Sequence, residues 1–579
     1  MFDYLIKGGT VIDGTGAPAR EADVAVLDGR IAAVGALDGE ATTVLDATGL
    51  MVCPGFIDPH CHYDAQICWD PALTSSSLHG VTTIIMGNCG FSLAPVGNES
   101  DALYISAMLA GVEGMPLESL AQGVPWDWLT FAEYLDRFEG HIGVNMGCLV
   151  GHNALRRTVM GEDAVGAEAD EAQLAEMARL LHESIEAGGL GFSSSQSYTH
   201  NDAERRPVPS RWAAAEELVS LSAVVADHEG TTLQWVSTGC LDGLSTEEYE
   251  LLTRMSLAGQ RPLNWNVFTI DSARLEAFEK QTGMGDYAAA QGARVVALTM
   301  PVLVGMNMSF RHYCGLNLLP GWDDVLSLPL AERMEELSRP EVRQKMEAAA
   351  ASPEAGVMSR LVDFSSYEIG DTYSAENTGL KGRLVADIAA ERGTGAFDTL
   401  LDIVLADHLD TVLWPSPTDD DDESWRMRQE AWKRDDVLIG GSDAGAHLDR
   451  MAGSSYPTAW LADCLRGRGL TSVEDAVRHM TDAPARLFGL IDRGRIAEGC
   501  HADLVVFDPD DVDAGETVLV HDLPGDNRRL WSDPLGMVRV LVGGSEIVAD
   551  GKPTGNLPGA VLRSGRDTAT VPIPAFAAN

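Results

Sequence analysis

The chain has 579 residues, of which 45% are hydrophobic and 22% charged, a globular composition that excludes a mostly disordered or collagen-like protein. Its formal net charge of −46 repels phosphate backbones and anionic bilayers, so neither nucleic acid nor membrane is an expected partner. No stretch approaches the roughly 20 uncharged apolar residues of a spanning helix.

In chain order, residues 1–9 lack the basic start, apolar run and cleavage site of a secretory signal, so a cytoplasmic protein is expected. The nine cysteines are scattered and read as reduced thiols. Residues 4–13 and 23–26 alternate as strands do. Eight short β-branched or apolar runs follow, at 51–58, 81–87, 142–150, 189–194, 231–237, 262–268, 295–300 and 437–441. Amphipathic segments such as 168–186, 212–227 and 245–258 lie between them. This repeated alternation predicts an α/β fold, a closed (β/α)8 barrel of the TIM type over 51–485.

The seventh and eighth runs are separated by 301–436, which is longer than a βα connection needs and holds a helical stretch at 330–351. Two readings are open for it: a lid at the catalytic end, or an insertion serving stability and oligomer contacts. Its acidic run, Asp419 to Glu423, reads as a solvated loop. Beyond the barrel, 502–507 and 538–542 are strand-like. Residues 1–50 and 486–553 therefore predict a small β-sandwich assembled from both termini, and the Pro- and Gly-rich 554–579 an extended arm.

In such barrels chemistry gathers at the C-terminal ends of the strands. The first run leads into Pro54-Gly55-Phe56-Ile57-Asp58-Pro59-His60-Cys61-His62. Histidines at i and i+2 on extended chain point to one side, so both imidazoles can reach one ion. The eighth run ends in Gly440-Gly441-Ser442-Asp443-Ala444-Gly445-Ala446-His447. A carboxylate at that strand tip can bind a metal and take a proton from water.

With Gly87-Asn88-Cys89-Gly90-Phe91, Gly151-His152-Asn153-Ala154-Leu155-Arg156 and the stretch 485–506, these motifs resemble the amidohydrolase superfamily over nearly the whole chain. Within it they resemble the N-acyl-D-amino-acid deacylase (D-aminoacylase) branch. The resemblance implies a metal-dependent hydrolase of the amide bond in a small N-acyl compound, an N-acyl-D-amino acid being one candidate. It implies a divalent metal, zinc first, at His60, His62 and Asp443, with Cys89 in the place of the branch's cysteine ligand and Asp443 as general base. A small-molecule substrate and a homo-oligomer are expected.

One departure matters. Deacylases of this branch carry histidines at the ends of strands five and six, completing a second metal position. Here the fifth run reads Leu233-Gln234-Trp235-Val236-Ser237 and the sixth Leu263-Asn264-Trp265-Asn266-Val267-Phe268. A single metal per chain is therefore expected. Trp235 and Trp265 are read either as the floor of an apolar substrate pocket or as barrel filling, with Gln234, Asn264 and Asn266 as amide hydrogen-bonders to substrate. His152 is read as polarising a substrate carbonyl or as structural, and His447 as supporting or replacing a metal ligand. His228 precedes the fifth run and is expected away from the site. The polar loop around Tyr198 is expected to hold a substrate carboxylate, with Arg156, Arg206, Arg311 and Arg450 as candidate anion partners. A metal-dependent lyase, deaminase or carbon–carbon hydrolase on the same barrel is an alternative. A non-catalytic oligomeric scaffold is another, but a scaffold has no need for His60, His62 and Asp443 together.

Overall fold

A computed structural model describes residues 1–303, 305–312 and 314–574. The chain divides into two compact units, one built from 1–302, 423–448 and the residues from 452 onward, the other from 303–422 and 449–451.

In the first unit, both ends of the chain share one nine-stranded sheet. Its seam is the antiparallel pairing of Met51–Pro54 with Leu504–Phe507. Alternate side chains of these strands, among them Ile6, Val24, Val52, Leu504 and Val506, bury one another, as the two-residue period of a strand dictates. The run at 51–58 is two strands in different sheets, Met51–Pro54 and Phe56–Asp58. Gly55 makes the switch possible, because a Cβ there would stand 2.1 Å from the Thr82 hydroxyl oxygen.

Parallel strands then follow one another in chain order. Phe56–Asp58, Val81–Met86 and Asn145–Cys148 form one parallel sheet. Val150–Gly151, Gly191–Ser195, Thr232–Val236, Leu263–Asn266, Val295–Thr299 and Val437–Ile439 form another. The third run is thus split at Leu149, and Leu190 N–H links the two sheets by donating to Cys148 O at 2.8 Å. Helices alternate with the strands for local reasons. Glu171–Glu186 and Thr246–Gly259 each start in a capping box, at Asp170 and at Ser245. The former buries Met177, Leu181 and Ile185, one side of a 3.6-residue period. Near the C-terminus Val561–Leu562 lies parallel beside Asn145–Cys148.

The second unit packs Trp322, Phe364 and Phe397 in a core of its own. Its helical stretch at 330–351 is two helices, Leu330–Leu337 and Pro340–Ala350, because Pro340 cannot donate a helical hydrogen bond and can only start a new helix. The acidic run is a loop only in part, since Asp422 opens the helix Asp422–Ala431. Among the described residues no helix is long and apolar enough to cross a membrane.

Candidate metal centre

His60 and His62 follow directly on Phe56–Asp58 and are 3% and 1% exposed. The Asp58 carboxylate accepts from His60 N–H at 3.2 Å, from Ser442 N–H at 3.1 Å and from the Ser442 hydroxyl. Main-chain bonds from Asp443 N–H to His60 O (3.0 Å) and from His62 N–H to Ala444 O (2.7 Å) complete the lacing of the first and last strand tips. Cys89 follows Val81–Met86 with φ +58°, a left-handed conformation that costs a non-glycine residue about 1–2 kcal/mol. Gln234 holds it there, its Oε1 accepting Cys89 N–H at 2.7 Å.

These restraints gather the donor atoms of His60, His62 and Cys89 within 4.8 Å of one another and set Asp443 against the two imidazoles. Cys89 Sγ lies 3.4 Å from His60 Nε2 and 3.7 Å from His62 Nε2. Asp443 Oδ1 lies 3.2 Å from His62 Nε2 and 3.7 Å from His60 Nε2. A tetrahedron with metal–ligand bonds of about 2.0–2.3 Å has edges of about 3.3–3.8 Å, a range these four separations approach. Two imidazoles, a thiolate and a carboxylate are a donor set that suits zinc.

The field favours a cation as well. Burial pushes the carboxyls of Asp58 and Asp64 up to about 6 and that of Glu113 up to about 7. Burial opposes charge on Asp443 too, but His62, His447 and His60 hold its carboxyl well below the usual range. Burial likewise disfavours a His62 imidazolium, yet Glu113, Asp443 and Cys89 raise it well above an ordinary histidine. Burial pushes the Cys89 thiol up to about 11, with His62 pulling the other way. Closely spaced acidic groups facing two imidazoles provide the environment a divalent cation neutralises.

Two further groups join the centre. His447 Nε2 stands 3.8 Å from Asp443 Oδ2. Glu113, 3% exposed, places Oε1 3.7 Å from His62 Nδ1, and its main-chain carbonyl accepts His447 N–H at 2.5 Å. Glu113 lies in none of the motifs, although it is the only charge in 102–117.

For His152 and the two tryptophans the contacts favour the structural one of the two readings, and other expectations require correction. His152 is not exposed to a substrate: Nδ1 pairs with Ser194 Oγ and Nε2 with Glu217 Oε1, both at 2.8 Å. Arg156 is held by the same Glu217, at 2.6 Å to each carboxylate oxygen. Strand alternation explains this, since Ser193, one residue away, faces the Cys89 loop and accepts Gly90 N–H at 3.1 Å, leaving Ser194 on the helix side. The same alternation moves the tryptophans. Gln234 and Asn266 face Cys89, so Trp235 and Trp265 point to the helices, where Trp265 lines a small cavity with Gln281 and Gly285. They floor no pocket at the donor atoms.

Gln234 and Asn264 are committed to the protein rather than open to substrate. Gln234 joins Cys89 to Asn266, and Asn264 Nδ2 donates to Val296 O at 3.1 Å. In the strand-four loop Arg206 pairs with Asp202 at 2.9 Å, and the Tyr198 carbonyl accepts from Arg211 at 3.3 Å. His200, in the same loop, bonds Ser195 Oγ at 2.8 Å and packs on Phe91. In the second unit Arg450 pairs with Asp449 at 2.9 Å and Arg311 approaches Asp410 at 4.0 Å. His228 meets His182 at 2.9 Å on helix ends.

A profile of the amidohydrolase family matches residues 43–549. The N-acyl-D-glutamate deacylase of Alcaligenes xylosoxydans xylosoxydans is 29% identical over 593 residues, covering 99% of each chain. Among solved structures, a D-aminoacylase described as defining a novel subset of amidohydrolases is 26% identical with a TM-score of 0.64, covering 97% of this chain and 100% of its own. The N-acyl-D-glutamate deacylase of Bordetella bronchiseptica, complexed with zinc and a phosphonate mimic of the tetrahedral intermediate, is 27% identical with a TM-score of 0.63 and the same coverage. The chain belongs to the amidohydrolase family, in its D-aminoacylase-like branch, and is a metal-dependent hydrolase of C–N bonds other than peptide bonds.

Proposed function

We propose that this protein removes the acyl group from N-acyl-D-amino acids, using one zinc ion held by His60, His62, Cys89 and Asp443 on a closed (β/α)8 barrel flanked by a β-sandwich. The main-chain bonds lacing His60 and His62 to Asp443 and Ala444 support closure of the two parallel sheets into one barrel. The substrate class follows the deacylases to which the chain is similar along its whole length.

When bound, the metal supplies Lewis acidity, which acidifies water and polarises an acyl carbonyl. The chain's own part falls to Asp443. Its Oδ1 faces the two imidazoles, and its Oδ2 is turned toward His447. That second oxygen accepts a proton from the attacking water and returns it to the leaving nitrogen. Gln234 and Asn266, bonded to each other, stand at the strand tips where the branch carries histidines, which supports one ion rather than two.

The observation that carries this reading is the grouping of the His60, His62 and Cys89 donors within 4.8 Å of one another, with Asp443 Oδ1 facing both imidazoles. Incubation with a panel of N-acetyl-D- and L-amino acids tests it. Release of free amino acid from D substrates, lost on chelation and restored by zinc, is expected; inactivity on the whole panel would contradict it.

A further inference from the structure

We infer that Glu113 is a positioning residue of the metal centre, its carboxylate orienting His62 and its main-chain carbonyl holding the loop that carries Asp443. The inference rests on the metal-centre reading above and adds a residue that neither the motifs nor the donor set contains.

An imidazole that gives Nε2 to a metal carries its proton on Nδ1, and that proton needs an acceptor to fix the ring. His62 Nδ1 is buried and has no hydrogen-bond partner. Glu113 Oε1 faces it at 3.7 Å, an ion-pair separation somewhat longer than a closed hydrogen bond. His60 Nδ1 is likewise buried and unpartnered, and both rings meet Asp443 through Nε2, but the Glu113 carboxylate stands against His62 Nδ1.

The second link is covalently tied to the first. The carbonyl of the same residue accepts His447 N–H, four residues past Asp443, where the chain turns with φ +49°. Glu113 therefore touches both ligand-bearing loops, one by its side chain and one by its backbone. Its own place is fixed: it caps the helix Glu99–Val112, with its N–H bonded to Leu109 O at 2.9 Å. An ion pair of 2.8 Å between Asp101 and Arg157 pins the start of that helix. A buried carboxylate whose ion-pair partner is an imidazole is costly unless a cation is near, so a leucine or glutamine would be cheaper for packing alone.

The test is zinc affinity, measured by chelator competition on the full-length protein, for wild type and for Glu113→Gln and Glu113→Ala. Thermal unfolding of each metal-free form runs alongside. Glu113→Gln keeps the volume and removes the charge, and is expected to weaken zinc binding 10- to 100-fold, as loss of such outer partners does. Its metal-free melting temperature should equal or exceed that of wild type, because a buried charge has gone. Glu113→Ala should lose at least as much affinity. Wild-type affinity in Glu113→Gln, or a metal-free form that melts lower with zinc affinity intact, would overturn the assignment and leave the metal centre standing. A wild-type protein that binds no zinc would overturn the metal-centre reading itself.

Discussion

Asp443 divides two tasks between two oxygens: Oδ1 is 3.2 Å from His62 Nε2, and Oδ2 is 3.8 Å from His447 Nε2. Asp443→Asn keeps the shape but removes the proton acceptor, so turnover on a D substrate should fall about 10²- to 10⁴-fold while the far-UV spectrum is unchanged. Near-normal turnover would reduce Asp443 to a structural role. The tryptophans lead to the opposite kind of prediction. Trp265 is 1% exposed on the helix side of its strand, so Trp265→Ala should cost about 3–5 kcal/mol of stability by opening a cavity. The relative rates on the amino-acid panel should not change; a changed substrate order would mean that the ring reaches the substrate after all. The contrast also shows what could be read in advance. His60, His62 and Asp443 were legible because i, i+2 spacing and strand-tip position are properties of the chain itself. The partners of His152 and Glu113 lie 65 and 51 residues away, at Glu217 and His62, and no local pattern carries that.

At the scale of elements, the runs of apolar residues revealed where strands lie but not which sheet they join or which face a given side chain takes. One residue of register separates Gln234, bonded to Cys89, from Trp235, turned away from it. The run at 51–58 looked like one strand because nothing local tells Gly55 that Thr82 will stand against it. The C-terminal arm is a similar case. Val561–Leu562 adds a parallel strand beside Asn145–Cys148, and Leu562 joins Ile57, Ile85, Leu149 and Leu190 in one buried cluster. Strand pairing of this kind depends on an edge far off in sequence, so composition alone suggested only an extended tail. Truncation after residue 553 should leave those backbone groups and that cluster open, lowering the melting temperature by several degrees or giving insoluble protein. A truncated chain that melts with the full-length protein would show the arm to be dispensable.

At the scale of the whole molecule, acid should loosen the fold through buried neutral histidines. His79 is 1% exposed, with Nε2 donating to Ser532 O at 2.9 Å and Nδ1 against Thr458 Oγ1 at 2.7 Å, and burial brings it down to about 4. The unfolded chain holds this group near pH 6.5, so between about 6.5 and 4 the unfolded state binds more protons. Stability therefore rises with pH across that window, and is lost as pH falls through it, by up to about 3 kcal/mol from this residue. Denaturant unfolding between pH 7 and 4 checks the slope, which should flatten in His79→Gln. The proposed function stands or falls on one ion held by the His60, His62 and Cys89 cluster with Asp443 beside the imidazoles. Elemental analysis of the purified protein should find about one equivalent of divalent transition metal per chain, chiefly zinc; two tightly bound equivalents, or none, would refute a single-ion site.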